Sequence, residues 1–192
     1  MASVSCAVMS EPHVAAVDAD RELVARWKRG DPTAATAIVS RHSDALARFA
    51  VNLGERDDVE ELVQDTFVRA FGSLHAFRGD SALRTWLFTI ERRLVLDRRR
   101  AARRAPVAIE VTDASAATEF TALDSMVAAE TEQQVREAIE RLSPTQREVF
   151  TLRVSEGLSY REIADVVGTT EGAARVHYHN AMRAVKEYLS DE

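Results

Sequence analysis

The sequence predicts an all-α protein made of two small helical domains, and three observations carry that prediction. Only seven Gly and four Pro punctuate the 192 residues, while Ala, Leu, Arg, Glu and Val dominate, a composition that suits helices better than strands. Apolar residues recur at i, i+3, i+4 and i+7 in several separated blocks, the rhythm of a helix with one buried face. From Pro106 to about Ala128 that rhythm dissolves into small, polar and acidic residues, which reads as a flexible acidic linker.

Each element has a local reason. Residues 1–17 read as a disordered N-terminus, and Asp20 to Lys28 as a short helix ended by Gly30. Asp31 is placed to cap a second helix, with Pro32 in the first helical position, where its missing N–H removes no bond. Ile38, His42, Leu46, Phe49 and Leu53 form its inward stripe until Gly54. The third helix is the most regular: Val59, Leu62, Val63, Thr66, Phe67, Ala70 and Phe71 face inward, and Glu60, Glu61, Gln64, Asp65 and Arg69 face out. After the loop HAFRGDS, a fourth helix turns Leu83, Trp86, Leu87, Ile90 and Leu94 inward and runs out into DRRRAARR.

Beyond the linker, Val135, Ala138, Ile139 and Leu142 share one helical face, and Ser143 with Pro144 opens the next helix through Val149, Phe150 and Leu152. The domains therefore divide as 18–104 and 129–192, joined by 105–128. Ser159 and Glu162 have capping-box spacing, so a helix starts at Tyr160. Gly168 supplies the left-handed residue that ends it, and Thr170 can cap another. That last helix buries Ala174, Tyr178, Ala181 and Val185, leaving Glu171, Gly172, Arg175, Val176, His179 and Arg183 on the opposite face. Two helices joined by a tight Gly turn form a helix-turn-helix unit, whose second helix fits a DNA major groove. A helical hairpin that touches no DNA has the same spacing and remains the alternative.

Charge sharpens the choice. The formal net charge of −6 argues against a nucleic-acid partner, but the way the charge is distributed argues for one. Glu55 to Asp65 holds six acids against one Arg, whereas Arg78 to Arg104 holds nine Arg against Asp80, Glu91 and Asp97. Pro106 to Gln134 holds six acids and no Lys or Arg. Segregated blocks imply separate surfaces for separate partners.

Other classes are disfavoured. Cys6 is the lone cysteine, so it can form no internal disulfide and no cysteine metal pair, and a reducing cytoplasmic setting is expected. The N-terminal stretch MASVSCAVMSEPHVAAV lacks the pattern of a signal peptide, and no run approaches the roughly 20 apolar residues of a membrane span. Met9 is an alternative start to Met1. His177 and His179 lie on different helix faces with no third ligand at suitable spacing, so no metal is expected, nor any cofactor. No nucleophile with a base, Gly-rich phosphate loop or shielded carboxylate pair marks an enzyme.

The blocks DDVEELVQDTFVRAFGSLHAF and TWLFTIERRLVLDRRR resemble region 2 of the extracytoplasmic-function (ECF) sigma factors of bacterial RNA polymerase, within the sigma-70 family. RLSPTQREVFTLRVSEGLSYREIADVVGTTEGAARVHYHNAMRAV resembles their region 4. The resemblance spans nearly the whole chain and implies a dissociable polymerase subunit that recognises promoters. It implies docking on the beta-prime subunit through Glu60, Glu61, Gln64 and Asp65, further contact with the beta subunit, and a possible anti-sigma partner. It also implies capture of the −10 element by the loop Phe77, Arg78, Asp80 and Ser81 with Arg84, Arg92 and Arg93, where a flipped base must recover its lost stacking. Arg98, Arg99, Arg100, Arg103 and Arg104 are expected to grip duplex phosphates. Thr170, Glu171, Gly172, Arg175, Val176, His179 and Arg183 are expected at the −35 element.

This chain departs from the family pattern at several positions. Glu91 and Arg93 stand where Ala and Asn are common, Thr169 replaces the usual Ile or Val of the turn, and Val176, His177 and Asn180 stand where Ser or basic residues are frequent. A linker of about 23 residues reaches roughly 75 to 80 Å when extended, enough for two elements about two duplex turns apart. A stand-alone helix-turn-helix regulator would account for the second domain alone, and a helical adaptor for the acidic surfaces alone.

Overall fold

The computed structural model describes residues 11–104 and 133–190, and all regular structure within them is helical. The expected linker, 105–128, lies outside the described residues. The helices are α1 (Glu11–Lys28), α2 (Pro32–Asn52), α3 (Val59–Ser73), α4 (Leu83–Arg104), α5 (133–140), α6 (Pro144–Val154), α7 (Tyr160–Val167) and α8 (Glu171–Ser190), with a 3-10 turn at Leu74–Ala76 after α3. α1 begins well before Asp20, so residues 11–17 are helical where disorder was expected. Pro12 is tolerated in its first turn, where a backbone N–H has no helical acceptor.

The first half is a four-helix body. Ile38, Leu46, Phe49, Leu62, Phe67, Leu87, Phe88 and Leu94 fill its core. Phe49 of α2 and Phe88 of α4 meet edge-on at 5.0 Å between ring centres, and Trp27 of α1 reaches Phe71 of α3 at 5.1 Å. α1 is pinned to α2 by charge as well. Asp20, almost fully buried, faces His42 Nε2 at 3.2 Å and Arg41 Nε at 2.9 Å. At the start of α2 the Asp31 carboxylate accepts from the Thr33 N–H and the Thr33 hydroxyl, at 2.9 and 2.7 Å. The Thr33 hydroxyl, then Arg26, hold its pKa down to about 2.

The second half begins with α5, whose C-terminal carbonyls accept from the Arg147 guanidinium, 3.2 Å from Ile139 O. The expected capping box of Ser159 with Glu162 opens α7, and at the expected start of α6 Ser143 forms a second box with Gln146. Gly168 ends α7 at φ +74°, with nothing within 4 Å of where a Cβ would sit. Gly168→Ala therefore introduces backbone strain without a clash. Thermal unfolding should show a loss of about 1 to 2 kcal/mol, with a smaller loss for Gly168→Asn.

The two halves share one core. A continuous apolar cluster runs from Val24 through Phe88 and Val95 to Val149, Leu152, Leu158, Ile163 and Val166. α4 packs on α7 and α2 on α6, so the halves meet face to face.

Candidate nucleic-acid interface

The capping chemistry of α7 and the left-handed Gly168 set the start of α8, and the rhythm of α8 decides what it shows. Ala174, Ala181 and Val185 are buried. Thr170, Glu171, Gly172, Arg175, Val176, His179 and Arg183 are all exposed. Thr170 also caps the helix, its Oγ1 accepting from the Ala173 N–H at 3.2 Å.

Arg175 is held as well as displayed. Glu171 pairs with it at 3.1 Å, and its guanidinium lies 5.2 Å from the Tyr160 ring centre. Tyr160 in turn packs on Tyr178, at 5.8 Å. Ordered in this way, Arg175 suits bidentate recognition of guanine, and Val176, 58% exposed among polar neighbours, suits a thymine methyl. His177 is half-buried and His179 exposed, and among the described residues no group of three His, Cys, Asp or Glu could hold a metal.

The α4 surface is more divided. Arg78, Asp80, Arg93, Arg100, Arg103 and Arg104 are exposed, and Phe77 and Ser81 are half-buried. Lys28 Nζ donates to Phe77 O at 2.7 Å, so α1 fixes the loop that precedes α4. Trp86 packs on Phe77 at 5.1 Å and stays half-buried, so it supports the loop from the core's edge and does not fill the core's centre.

Several arginines expected on DNA have protein partners in this state. Arg98 pairs with Asp65 at 2.8 Å and Glu61 at 3.2 Å, which draws it onto the acidic face of α3. Arg99 contacts Leu53 O and pairs with Glu55 at 3.3 Å, and Arg100 pairs with Asp97 at 3.1 Å. Arg84 and Arg92 face carboxylates of the second half. Burial, then the neighbouring Arg48, lowers the Arg84 pKa from its ordinary value.

At the start of α3, Asp57, Asp58, Val59, Glu60, Glu61 and Gln64 line a shallow, largely acidic groove. Glu60, Glu61 and Gln64 are exposed, and Asp65 is half-buried and paired with Arg98. Glu60, Glu61 and Gln64 are thus presented to solvent, while Arg98 already shares its charge between Glu61 and Asp65.

The sequence reading missed Glu91. It is fully buried on α4, neither carboxylate oxygen has a hydrogen-bond partner, and burial pushes its pKa up to about 9. The signal was present: Glu91 follows Leu87 by four residues and precedes Leu94 by three, in phase with the apolar stripe. Glu148 and Glu156, also buried, were missed as well, although Glu148 precedes Leu152 by one helical turn.

Sequence and structure comparisons agree with this organisation. Residues 38–105 match sigma-70 region 2, and residues 132–185 match sigma-70 region 4. The chain is 30% identical over 179 residues to the ECF RNA polymerase sigma-E factor of Haemophilus influenzae, covering 88% of this chain and 95% of that protein. It is 32% identical over 175 residues to the ECF RNA polymerase sigma-E factor of Escherichia coli K12, covering 86% and 92%. Among solved structures, CnrH in complex with the cytosolic domain of CnrY is 29% identical with a TM-score of 0.65, covering 91% of this chain and 99% of that one. The sigma factor RpoE in complex with the anti-sigma factor NepR, from Bartonella quintana, is 28% identical with a TM-score of 0.63, covering 81% and 96%. With both regions in order on an all-helical fold, the chain belongs to the ECF sigma factors of the sigma-70 family.

Proposed function

We propose that this sigma factor binds core RNA polymerase and directs it to promoters through two separated surfaces. Residues 18–104 dock on the polymerase and capture the −10 element, residues 129–192 read the −35 element, and 105–128 join them. The observation that carries this reading is the solvent-facing row on α8, Glu171, Arg175, Val176 and His179, set out by the turn at Gly168.

The acidic face of Glu60, Glu61, Gln64 and Asp65 takes a basic polymerase surface on the beta-prime subunit, and the beta subunit is a further partner. Phe77, Arg78, Asp80 and Ser81, with Arg84, Arg92 and Arg93, hold the displaced strand. Arg100, Arg103 and Arg104 grip phosphates. Arg98 and Arg99 support the docking face and the end of α2, in keeping with their partners. Bond-making stays with the polymerase, in the cytoplasm, and an anti-sigma protein is a further partner. Among the described residues no helix is long and apolar enough to cross a membrane.

Acidic blocks repel phosphate, so promoter affinity should appear only with polymerase present. Gel shifts with and without core polymerase test this, and equally tight, sequence-specific binding by the free chain would contradict it. In the same assay Arg175→Ala should lose about 1 to 3 kcal/mol on the cognate −35 sequence and little on scrambled DNA. A uniform loss on both would reassign Arg175 to phosphate.

A further inference from the structure

Tyr160 stands where the two helices of the helix-turn-helix unit meet. It is the first residue of α7, and the capping box fixes its backbone: the Ser159 N–H donates to Glu162 Oε2 at 2.8 Å, and the Glu162 N–H donates to Ser159 Oγ at 3.3 Å. Its half-buried ring is backed by Tyr178 of α8 at 5.8 Å, which lies in turn on Phe150 of α6 at 6.5 Å. Two guanidinium groups reach that ring, Arg153 at 4.9 Å and Arg175 at 5.2 Å from its centre. Arg153 Nη1 also donates to Leu158 O at 2.7 Å, which ties it to the turn between α6 and α7. Arg175 has no such tie to the backbone, and its other polar partner is Glu171.

Of its two holds, the ring is the one that orients Arg175. The Arg175 and Glu171 side chains are 56% and 54% exposed, and an ion pair so open to water is weak and fades with salt. It also occupies guanidinium N–H groups that a base would use. The ring attracts the cation through its quadrupole and takes no N–H in a conventional hydrogen bond, so the donor fork stays available. Among the described residues the Tyr160 hydroxyl has no hydrogen-bond partner, so the hold belongs to the π face.

We infer that Tyr160 is a positioning residue for promoter reading: its ring seats the Arg175 guanidinium and thereby sets how sharply the −35 base pair facing Arg175 is discriminated. This rests on the assignment of Arg175 to a base edge and adds a residue that acts through it. An arginine free to sample its rotamers is ordered by any sequence it meets, and it can settle on a neighbouring base or phosphate. One already seated loses less freedom on binding, and its fork closes only where the matching base stands in place. Removing the ring therefore lowers discrimination at the position Arg175 reads and leaves other positions as they were.

The test uses holoenzyme assembled from the full chain and core polymerase, presented with a duplex pool randomised across the upstream promoter element, the bound molecules being sequenced. Arg175→Ala marks the base pairs that Arg175 reads, as those whose preference flattens. Tyr160→Leu, which keeps an apolar contact to Tyr178, should lower discrimination about three- to fivefold at the same base pairs. Tyr160→Phe retains the π face and should match wild type. Tyr160→Leu added to Arg175→Ala should bring no further loss, because the guanidinium it would seat is gone.

Should Tyr160→Leu misfold, Tyr160→Met, unbranched and long enough to cover Tyr178, takes its place with the same expectation. Unchanged preference in a folded Tyr160→Leu or Tyr160→Met chain would overturn the inference, as would flattening at base pairs that Arg175→Ala leaves alone. Equal weakening on all sequences by Tyr160→Phe and Tyr160→Leu would assign the hydroxyl to a phosphate and overturn it too. If Arg175→Ala leaves every preference intact, the base-reading role of Arg175 fails and the role of Tyr160 falls with it. If Arg175→Ala flattens a position and Tyr160→Leu does not, the positioning role alone fails.

Discussion

Replacing Glu91 by Met is expected to stabilise the chain by about 3 kcal/mol at pH 7, a rise of roughly 6 to 12 °C in Tm for a protein of this size. The Glu91 carboxyl is buried without a hydrogen-bond partner, and burial lifts its pKa from 4.5 to about 9. Below pH 4.5 it is protonated in both folded and unfolded chains, and stability is unaffected by its titration. As pH rises towards 9 the unfolded chain releases the proton and the folded chain keeps it. Stability therefore falls by about 1.4 kcal/mol per pH unit through that window.

Glu91→Gln should remove this slope while retaining a buried polar amide. Glu91→Met removes both the slope and the unpaired atoms. Chemical denaturation at pH 5, 7 and 8.5 separates the three chains. A pH-independent difference between Glu91→Gln and wild type would show that Glu91 ionises normally in the folded state.

Reversing charge on the docking face should have the largest functional effect. Glu60→Lys with Glu61→Lys places two cations where a basic polymerase surface is to dock, and like charges brought together cost several kcal/mol. Core association should weaken by about 100-fold or more, measured by titrating a fluorescently labelled chain with core polymerase. Both residues are exposed in the first turn of α3, so the loss in folding stability should stay near 1 kcal/mol, chiefly from the helix dipole. Normal polymerase affinity in the folded variant would move the docking surface elsewhere.

Where local chemistry decides an element, the sequence was sufficient. Asp31 beside Pro32, Ser159 with Glu162, and Gly168 each act within one helical turn, and each forms the cap its spacing implies. The α8 face was legible for the same reason, because a regular period assigns every side chain to one side. The start of α1 was less legible, because its first turns show no clear apolar rhythm and Pro12, a first-turn residue, is their one local signal.

Contacts between residues far apart in sequence were not legible. Nothing near Arg92 indicates Glu148, and nothing near Arg84 indicates Glu156; those pairs exist only because the fold brings α4 against α6 and the turn that follows it. The same limit applies to Arg98. Its place in a basic run suggested phosphate, whereas the packing of α4 on α3 delivers it to Asp65. Glu91 is a different case, since its phase on α4 marked it as buried and only its charge suggested otherwise.

The most direct test is run-off transcription with purified core RNA polymerase and a library of promoter fragments. Adding this chain should yield discrete transcripts from a subset sharing two sequence elements about two helical turns apart, and Arg175→Ala should change which fragments respond. Polymerase activity that is indifferent to the chain on every fragment, with a folded and pure preparation, would contradict a promoter-directing role.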